Sequence, residues 1–106
     1  MSYELTKVPN SKIAEFGGIE PDYEAKLDFH DPRKNSNKFW HIRVYGNHIV
    51  RHWGRHGSKG QQSCHRTWSE WGAKSAAQDL EDQKRNKGYK TDNTTALDLI
   101  VRKIDG

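Results

Sequence analysis

The central stretch of the sequence predicts a β-hairpin, which constrains the fold more than any other feature. Residues 38–45 are rich in aromatic and β-branched side chains, which favour strands. The next two residues, Gly46 and Asn47, both tolerate the positive φ angles of a two-residue hairpin turn. Residues 48–56 then return as the antiparallel partner, so the chain is predicted to contain an antiparallel sheet.

Alternation along the second strand predicts a face on which an aromatic ring lies between basic groups, because every second residue of a strand lies on the same side. The residues that share this side are Ile49, Arg51, Trp53 and Arg55. The ring can stack on a base or a sugar while the guanidinium groups bind phosphate. We expect Gly54, on the other side, to let a backbone or ring approach closely. The expected core positions of the hairpin are Trp40, Ile42 and Val44, with Val50, His52 and Gly54.

The flanking sequence predicts further strands and one helix. Residues 25–29 alternate apolar and polar side chains, and residues 61–68 follow a glycine-rich turn as a third strand of the meander. Ser69 is a good N-cap and Gly88 a good residue just beyond a helix C-terminus. The apolar stripe between them is mostly alanine, so this helix is expected to lie close against the sheet.

Composition divides the 106 residues into three parts. Residues 1–24 are acidic and rich in breakers, and are predicted to be an irregular lead segment, packed or unpacked. Residues 25–90 form the domain, and residues 91–106 are a C-terminal extension that ends in a short strand or helix. No apolar leader or transmembrane run is visible, and Cys64 is the single cysteine. We therefore expect a cytoplasmic protein in a reducing compartment, with no membrane partner.

The positive charge is concentrated in the middle of the chain. Eight Lys/Arg and no Asp or Glu lie between Arg33 and Arg66, and all six histidines lie between His30 and His65. Such a concentration is typical of a protein that binds a polyanion. We expect Arg43 to point to the same side as Trp53, because its strand pairs with the Trp53 strand. The residues predicted to extend the basic patch are Lys38, Arg43, Arg51 and Lys59.

Catalytic and metal sites have weak support in the sequence. His52 and His56 are four residues apart, which on a strand is ~13 Å and does not suit a shared metal ion. Cys64 lacks a catalytic motif and is interpreted as a core residue. The basic region lacks paired carboxylates, and no glycine-rich phosphate loop precedes the helix. We therefore predict no enzyme, no metal and no cofactor.

An ordered set of motifs resembles the WGR domain family, which occurs in poly(ADP-ribose) polymerases and in small bacterial proteins. The resemblance covers roughly residues 25–90 and depends on the order of the motifs rather than on the tripeptide alone. The matching segments are NKFW at 37–40, VRHWGRHG at 50–57, GQ at 60–61, Lys84, and GY at 88–89.

The resemblance implies an α+β fold, a twisted antiparallel sheet of four to five strands with one α-helix across one face. It also implies DNA binding. In the polymerases the WGR tryptophan packs on a sugar or base at a strand break, and the arginine contacts the backbone; these roles fall on Trp53 and Arg55. The polymerase arginine also bridges to other domains. We expect no ADP-ribosyltransferase domain within these 106 residues.

The sequence thus predicts a non-catalytic nucleic-acid-binding module for DNA ends, nicks or single strands. We expect little sequence preference, because no recognition helix is visible. The choice between DNA and RNA, the oligomeric state and the pathway stay open. The alternative is a protein-interaction adaptor that uses the same basic sheet face to bind an acidic partner.

The size of the basic patch predicts how strongly salt weakens binding. If three to five phosphates are neutralised, log K falls against log[salt] with a slope of about −3 to −4.5. Fluorescence anisotropy with a labelled DNA across a salt series measures this slope. A slope near zero would show that the patch does not bind the phosphate backbone.

Overall fold

The computed structural model describes residues 4–91, which form one antiparallel sheet, one α-helix and two short 3-10 helices. The strands are β1 (Thr6–Val8), β2 (Tyr23–Asp31), β3 (Ser36–Tyr45), β4 (His48–Arg55), β5 (Gln61–Arg66) and β6 (Lys90–Thr91). Helix α1 spans Glu70–Asn86, and the 3-10 helices span Asn10–Phe16 and Pro32–Lys34. The described strands lie in the order β1-β5-β4-β3-β2-β6. The predicted α+β class is confirmed, with six strands where four to five were expected.

The β3–β4 hairpin sits at the centre of the sheet and closes at the predicted turn. Gly46 has a φ of 59° and donates its backbone N–H to the Asp22 carboxylate at 2.7 Å. The turn leaves Tyr45 opposite His48, which fixes the register along both strands. Trp40 therefore lies opposite Trp53. Because directly paired residues of a sheet share a face, Trp53 lies on the same side as the core of β3.

This register overturns the predicted orientation of β4. Ile49, Arg51 and Trp53 lie on the face that packs on α1, and the alternate residues, from Val50 to Gly54, lie on the other face. Arg43 lies opposite Val50, so its predicted position beside Trp53 is also wrong. The physical reason is the two-residue turn, which pairs each even-numbered residue of β3 with an odd-numbered residue of β4. Residues 49, 51 and 53 therefore share a face with residues 44, 42 and 40.

Helix α1 covers one face of the sheet with alanine. Ser69 caps the helix, because its hydroxyl accepts the N–H of Gly72 at 3.0 Å. Gly88 follows the last turn with a φ of 103°, as predicted for the residue beyond the helix C-terminus. The small side chains let the helix axis come close to the sheet. The buried cluster comprises Ala73, Ala76 and Ala77 of α1, with Leu27, Trp40, Ile42, Val44 and Ile49 of the sheet.

The lead segment, predicted to be irregular, packs on the sheet between residues 4 and 22. Strand β1 pairs with β5, and the following 3-10 helix places the Phe16 ring on Tyr45, with centroids 4.6 Å apart and planes 5° from parallel. Asn10 donates its side-chain amide to the Gln62 carbonyl at 3.0 Å. Most of the extension, including the strand or helix predicted for residues 97–104, lies outside the described residues.

Gly54 provides the close backbone approach that the sequence predicted. A Cβ atom at Gly54 would lie 2.7 Å from Cα of Gly60, in the loop that leads into β5. Gly60 in turn has a φ of +71°, and a Cβ there would lie 2.4 Å from the Trp53 carbonyl oxygen. The loop backbone therefore packs directly against the end of β4 and restricts the position of the Trp53 backbone.

We expect Gly54→Ala to lower the free energy of unfolding by about 1–3 kcal/mol, because the added methyl group meets backbone that cannot move aside. Chemical denaturation monitored by circular dichroism measures this change. Gly17→Ala is the control, because Gly17 has a φ of −59° that any residue adopts and meets one carbonyl oxygen at 3.3 Å. Wild-type stability of Gly54→Ala would contradict the close packing.

The burial of three histidines predicts that the folded state becomes less stable in mild acid. Burial is the main cause that lowers the pKa of His41, His48 and His65 below the ordinary value of 6.5. The unfolded chain therefore binds more protons than the folded chain as pH falls through about 6.5, so unfolding becomes more favourable. The stabilisation is complete above that value.

We expect the midpoint temperature of thermal unfolding to decrease as the pH is lowered from about 7.5 to about 5.5. This range lies above the pH at which carboxylates usually titrate. Replacing His41 with Gln removes one titrating group and should flatten this dependence. Scanning calorimetry of both proteins across the range makes the comparison. A midpoint that does not change with pH would refute the assignment.

Candidate nucleic-acid interface

A groove of about 360 Å³ opens beside the C-terminal end of α1, where the helix leaves the sheet uncovered. The start of β3 and the end of β4 form one wall, and the last turn of α1 with the residues after it forms the other. None of the described residues that line it is acidic. The lining residues are Lys38, Phe39, Trp53, Gly54, Arg55, Lys84 and Tyr89.

Trp53 lines this groove, is half-buried, and packs against the core of the domain. Its neighbour across the hairpin is Trp40, which is only 3% exposed, and both belong to the packing around the core. The order of this ring comes from the folded sheet, so a ligand that stacks on it does not have to order a mobile side chain. Arg55 follows at the end of β4 and is exposed.

Lys84 and Tyr89 come to the groove from α1 and the residues after it. The Lys84 Nζ atom lies 5.9 Å from the Trp40 ring centroid and 5.1 Å from the Tyr89 ring centroid. Burial lowers the pKa of Lys84, and the nearby charges of Lys87, Arg51 and Lys38 lower it further. Burial also raises the pKa of Tyr89. The positive charges of Lys84 and its neighbours Lys87, Arg51 and Lys38 repel one another, so a bound anion would lower their electrostatic energy.

The structure brings together part of the predicted patch. Trp53, Arg55 and Lys38 line the groove, and Arg51 lies behind Trp53 in an adjoining cavity. Lys59 is exposed in the loop after β4 but does not line the groove.

Arg43 lies on the opposite face of the sheet. Its Nε donates to the Glu24 carboxylate at 2.7 Å, which satisfies its charge within the domain.

Sequence reasoning missed Lys84 and Tyr89 as site residues. Both lie about 30 positions beyond the Trp53 strand, and only the packing of α1 on the sheet brings them near. The signal was present in the motif that ends the family resemblance, Lys84 followed by Gly88-Tyr89, which was used for the family and not for the site.

His41, His48 and His52 lie on the sheet face away from Trp53. His41 and His52 pair across the hairpin there, and their rings surround Phe39 together with His56. His56 contacts the Asp28 carboxylate at 2.8 Å. Between residues 4 and 91, no three His, Cys, Asp or Glu side chains are grouped to hold a metal ion. Cys64 is buried, and burial raises the pKa of its thiol.

The fold and the groove together define a small α+β domain with a basic, aromatic groove. Residues 23–96 match the family model of the WGR domain, and the chain belongs to the WGR domain family. This is a non-catalytic domain family, known in poly(ADP-ribose) polymerases as a nucleic-acid-binding module.

A solved structure supports the fold assignment. The chain is similar to a Bacteroides fragilis protein whose crystal structure was determined in a structural genomics programme, with 31% sequence identity and a TM-score of 0.62. The match covers 66% of this chain and 19% of that chain. No curated protein matches the sequence significantly. Within the described residues, no helix is long and apolar enough to cross a membrane.

Proposed function

We propose that this domain binds nucleic acid through the groove, and that its ligands are DNA ends, nicks or single strands. The observation that carries the proposal is the half-buried Trp53 ring with Arg55, Lys38 and Lys84 around it, in a groove whose described lining has no acidic residue. An aromatic ring among cations is the combination that binds single-stranded nucleic acid without reading its sequence.

Each side chain has a distinct role in this proposal. Trp53 stacks on a sugar or a base, because its ring is fixed by the Trp40 pair and open to the groove. Arg55 donates two parallel hydrogen bonds to a phosphate through its planar guanidinium group. Lys38 and Lys84 add point charges that attract the backbone from either wall.

The preference for interrupted strands follows from what a ring can reach. In an intact duplex each base is covered by its neighbours above and below, so a stacking side chain finds no free face. A nick, an end or a single strand exposes such a face. Helix α1 packs on the sheet and is not free to enter the major or minor groove of a duplex and read base edges. We therefore expect little sequence preference.

The experiment is fluorescence anisotropy with blunt duplex, nicked duplex, single-stranded DNA and matched RNA. We expect blunt, nicked and single-stranded DNA to bind more tightly than a covalently closed circular duplex, which has neither end nor nick and is added as a competitor. Trp53→Ala should weaken binding by roughly 5- to 150-fold, the range reported for loss of one stacked base. Arg55→Met should weaken binding and also make the salt dependence shallower by about 0.7–0.9 in slope.

Two matched controls separate the groove from the general basic surface. Trp68→Ala removes a tryptophan that is 86% exposed at the other end of α1, and Arg43→Met removes an arginine on the opposite sheet face. Both variants should bind as the wild type does. If all four variants bind as the wild type does, or if no probe binds at moderate salt, the proposed groove is wrong and an acidic protein partner becomes the candidate to test.

A further inference from the structure

A second cavity, of about 220 Å³, lies beside Trp53, on the side of Arg51 rather than on the side of Arg55. It is lined by Trp40, Arg51, Trp53 and Lys84. Trp53 and Lys84 line both this cavity and the groove, whereas Arg51 lines only the cavity and Arg55 lines only the groove. One tryptophan therefore separates two cationic recesses that share a lysine.

Arg51 lines this cavity and carries an unsatisfied buried donor. Its neighbours across the sheet are Ile42 and Ser63, neither of which carries a charge. Its Nε atom is buried and has no hydrogen-bond partner among residues 4–91. Burial also lowers its pKa. A buried donor on a charged group is costly when it is unpaired, so the site favours a ligand that accepts a hydrogen bond and carries negative charge.

The two recesses suit one ligand better than two separate anions. A nucleotide within a strand carries one phosphate on each side of its sugar. If the sugar or base lies against Trp53, the flanking phosphates extend in opposite directions along β4. Arg51 and Arg55 are four residues apart on the strand, or ~13 Å between their Cα atoms. Neighbouring phosphates of one strand lie closer together than this, so the two guanidinium groups must converge on the ligand, as their long side chains allow.

We propose that the Arg51 cavity binds a second phosphate of the same strand, adjacent in the chain to the phosphate that Arg55 binds. Arg51 donates from its guanidinium group in the cavity, Arg55 donates in the outer groove, and Lys84 contributes charge to both recesses. This inference rests on the proposed function and adds to it the way in which one nucleotide is held between two phosphates.

The test removes single phosphate charges from the ligand. The probe is the DNA that binds the wild type most tightly, synthesised with one neutral methylphosphonate linkage at each successive position, or without its terminal phosphate. We expect two neighbouring positions at which neutralisation weakens binding at least about tenfold. In Arg51→Met, one of these positions should lose its effect while the other keeps it, and Arg55→Met should show the reverse.

Further variants control for changes in the fold. Arg51→Lys keeps a charge and should recover part of the affinity that Arg51→Met loses. Lys84→Met should weaken the effect of both positions, and Arg43→Met, on the opposite sheet face, should leave the wild-type profile unchanged. In the wild-type protein, the NMR resonance of the Arg51 Nε–H should shift when DNA is added and should not shift when the cavity-side phosphate is neutralised.

The outcomes distinguish this inference from the proposed function. If Trp53→Ala and Arg55→Met weaken binding but Arg51→Met keeps wild-type sensitivity at both positions, the second phosphate site is wrong and the groove stands. An Arg51 Nε–H resonance that does not respond to bound DNA also overturns the second site. If Trp53→Ala has no effect on binding, the proposed function itself fails.

Discussion

The pairing of Trp40 with Trp53 across the central hairpin is the contact on which the rest of the domain depends. The two-residue turn at Gly46 and Asn47 sets the register, and the register places both indoles on the face that α1 covers. Trp40 is buried under the helix, while Trp53 lies where the helix ends. A ring that packs on the core on one side is thus open to the groove on the other, so the proposed binding surface and the stability of the fold share the same residues.

The alanine stripe of α1 determines what else reaches Trp53. Because Ala73, Ala76 and Ala77 are small, the helix lies close to the sheet, and its last turn brings Lys84 above Trp40. Larger side chains at these three positions would lift the helix and separate Lys84 from the tryptophans. The position of a cation in the groove therefore depends on the size of apolar residues that do not line the groove.

Much of the architecture could be predicted from the sequence, and the misses have physical causes. Ser69, Gly88 and the Gly46-Asn47 turn carry local signals, which the structure confirms. Both alternating sets of β4 contain apolar residues, so their pattern alone does not identify the buried face, whereas the predicted Gly46-Asn47 turn already fixes it through the register. Strand β1 has three residues and gains its stability from β5, and no local pattern reports such a pairing. Lys84 and Tyr89 join Trp53 only through tertiary packing.

The short strands at the two margins of the described sheet affect how copies of the domain meet. Strand β1 has three residues and β6 has two, and each contains a lysine, Lys7 or Lys90. Margins of this kind present few free backbone donors and acceptors, and a charged side chain among them opposes the addition of another strand. These short, charged margins therefore protect a domain with a basic, aromatic face from strand-to-strand aggregation.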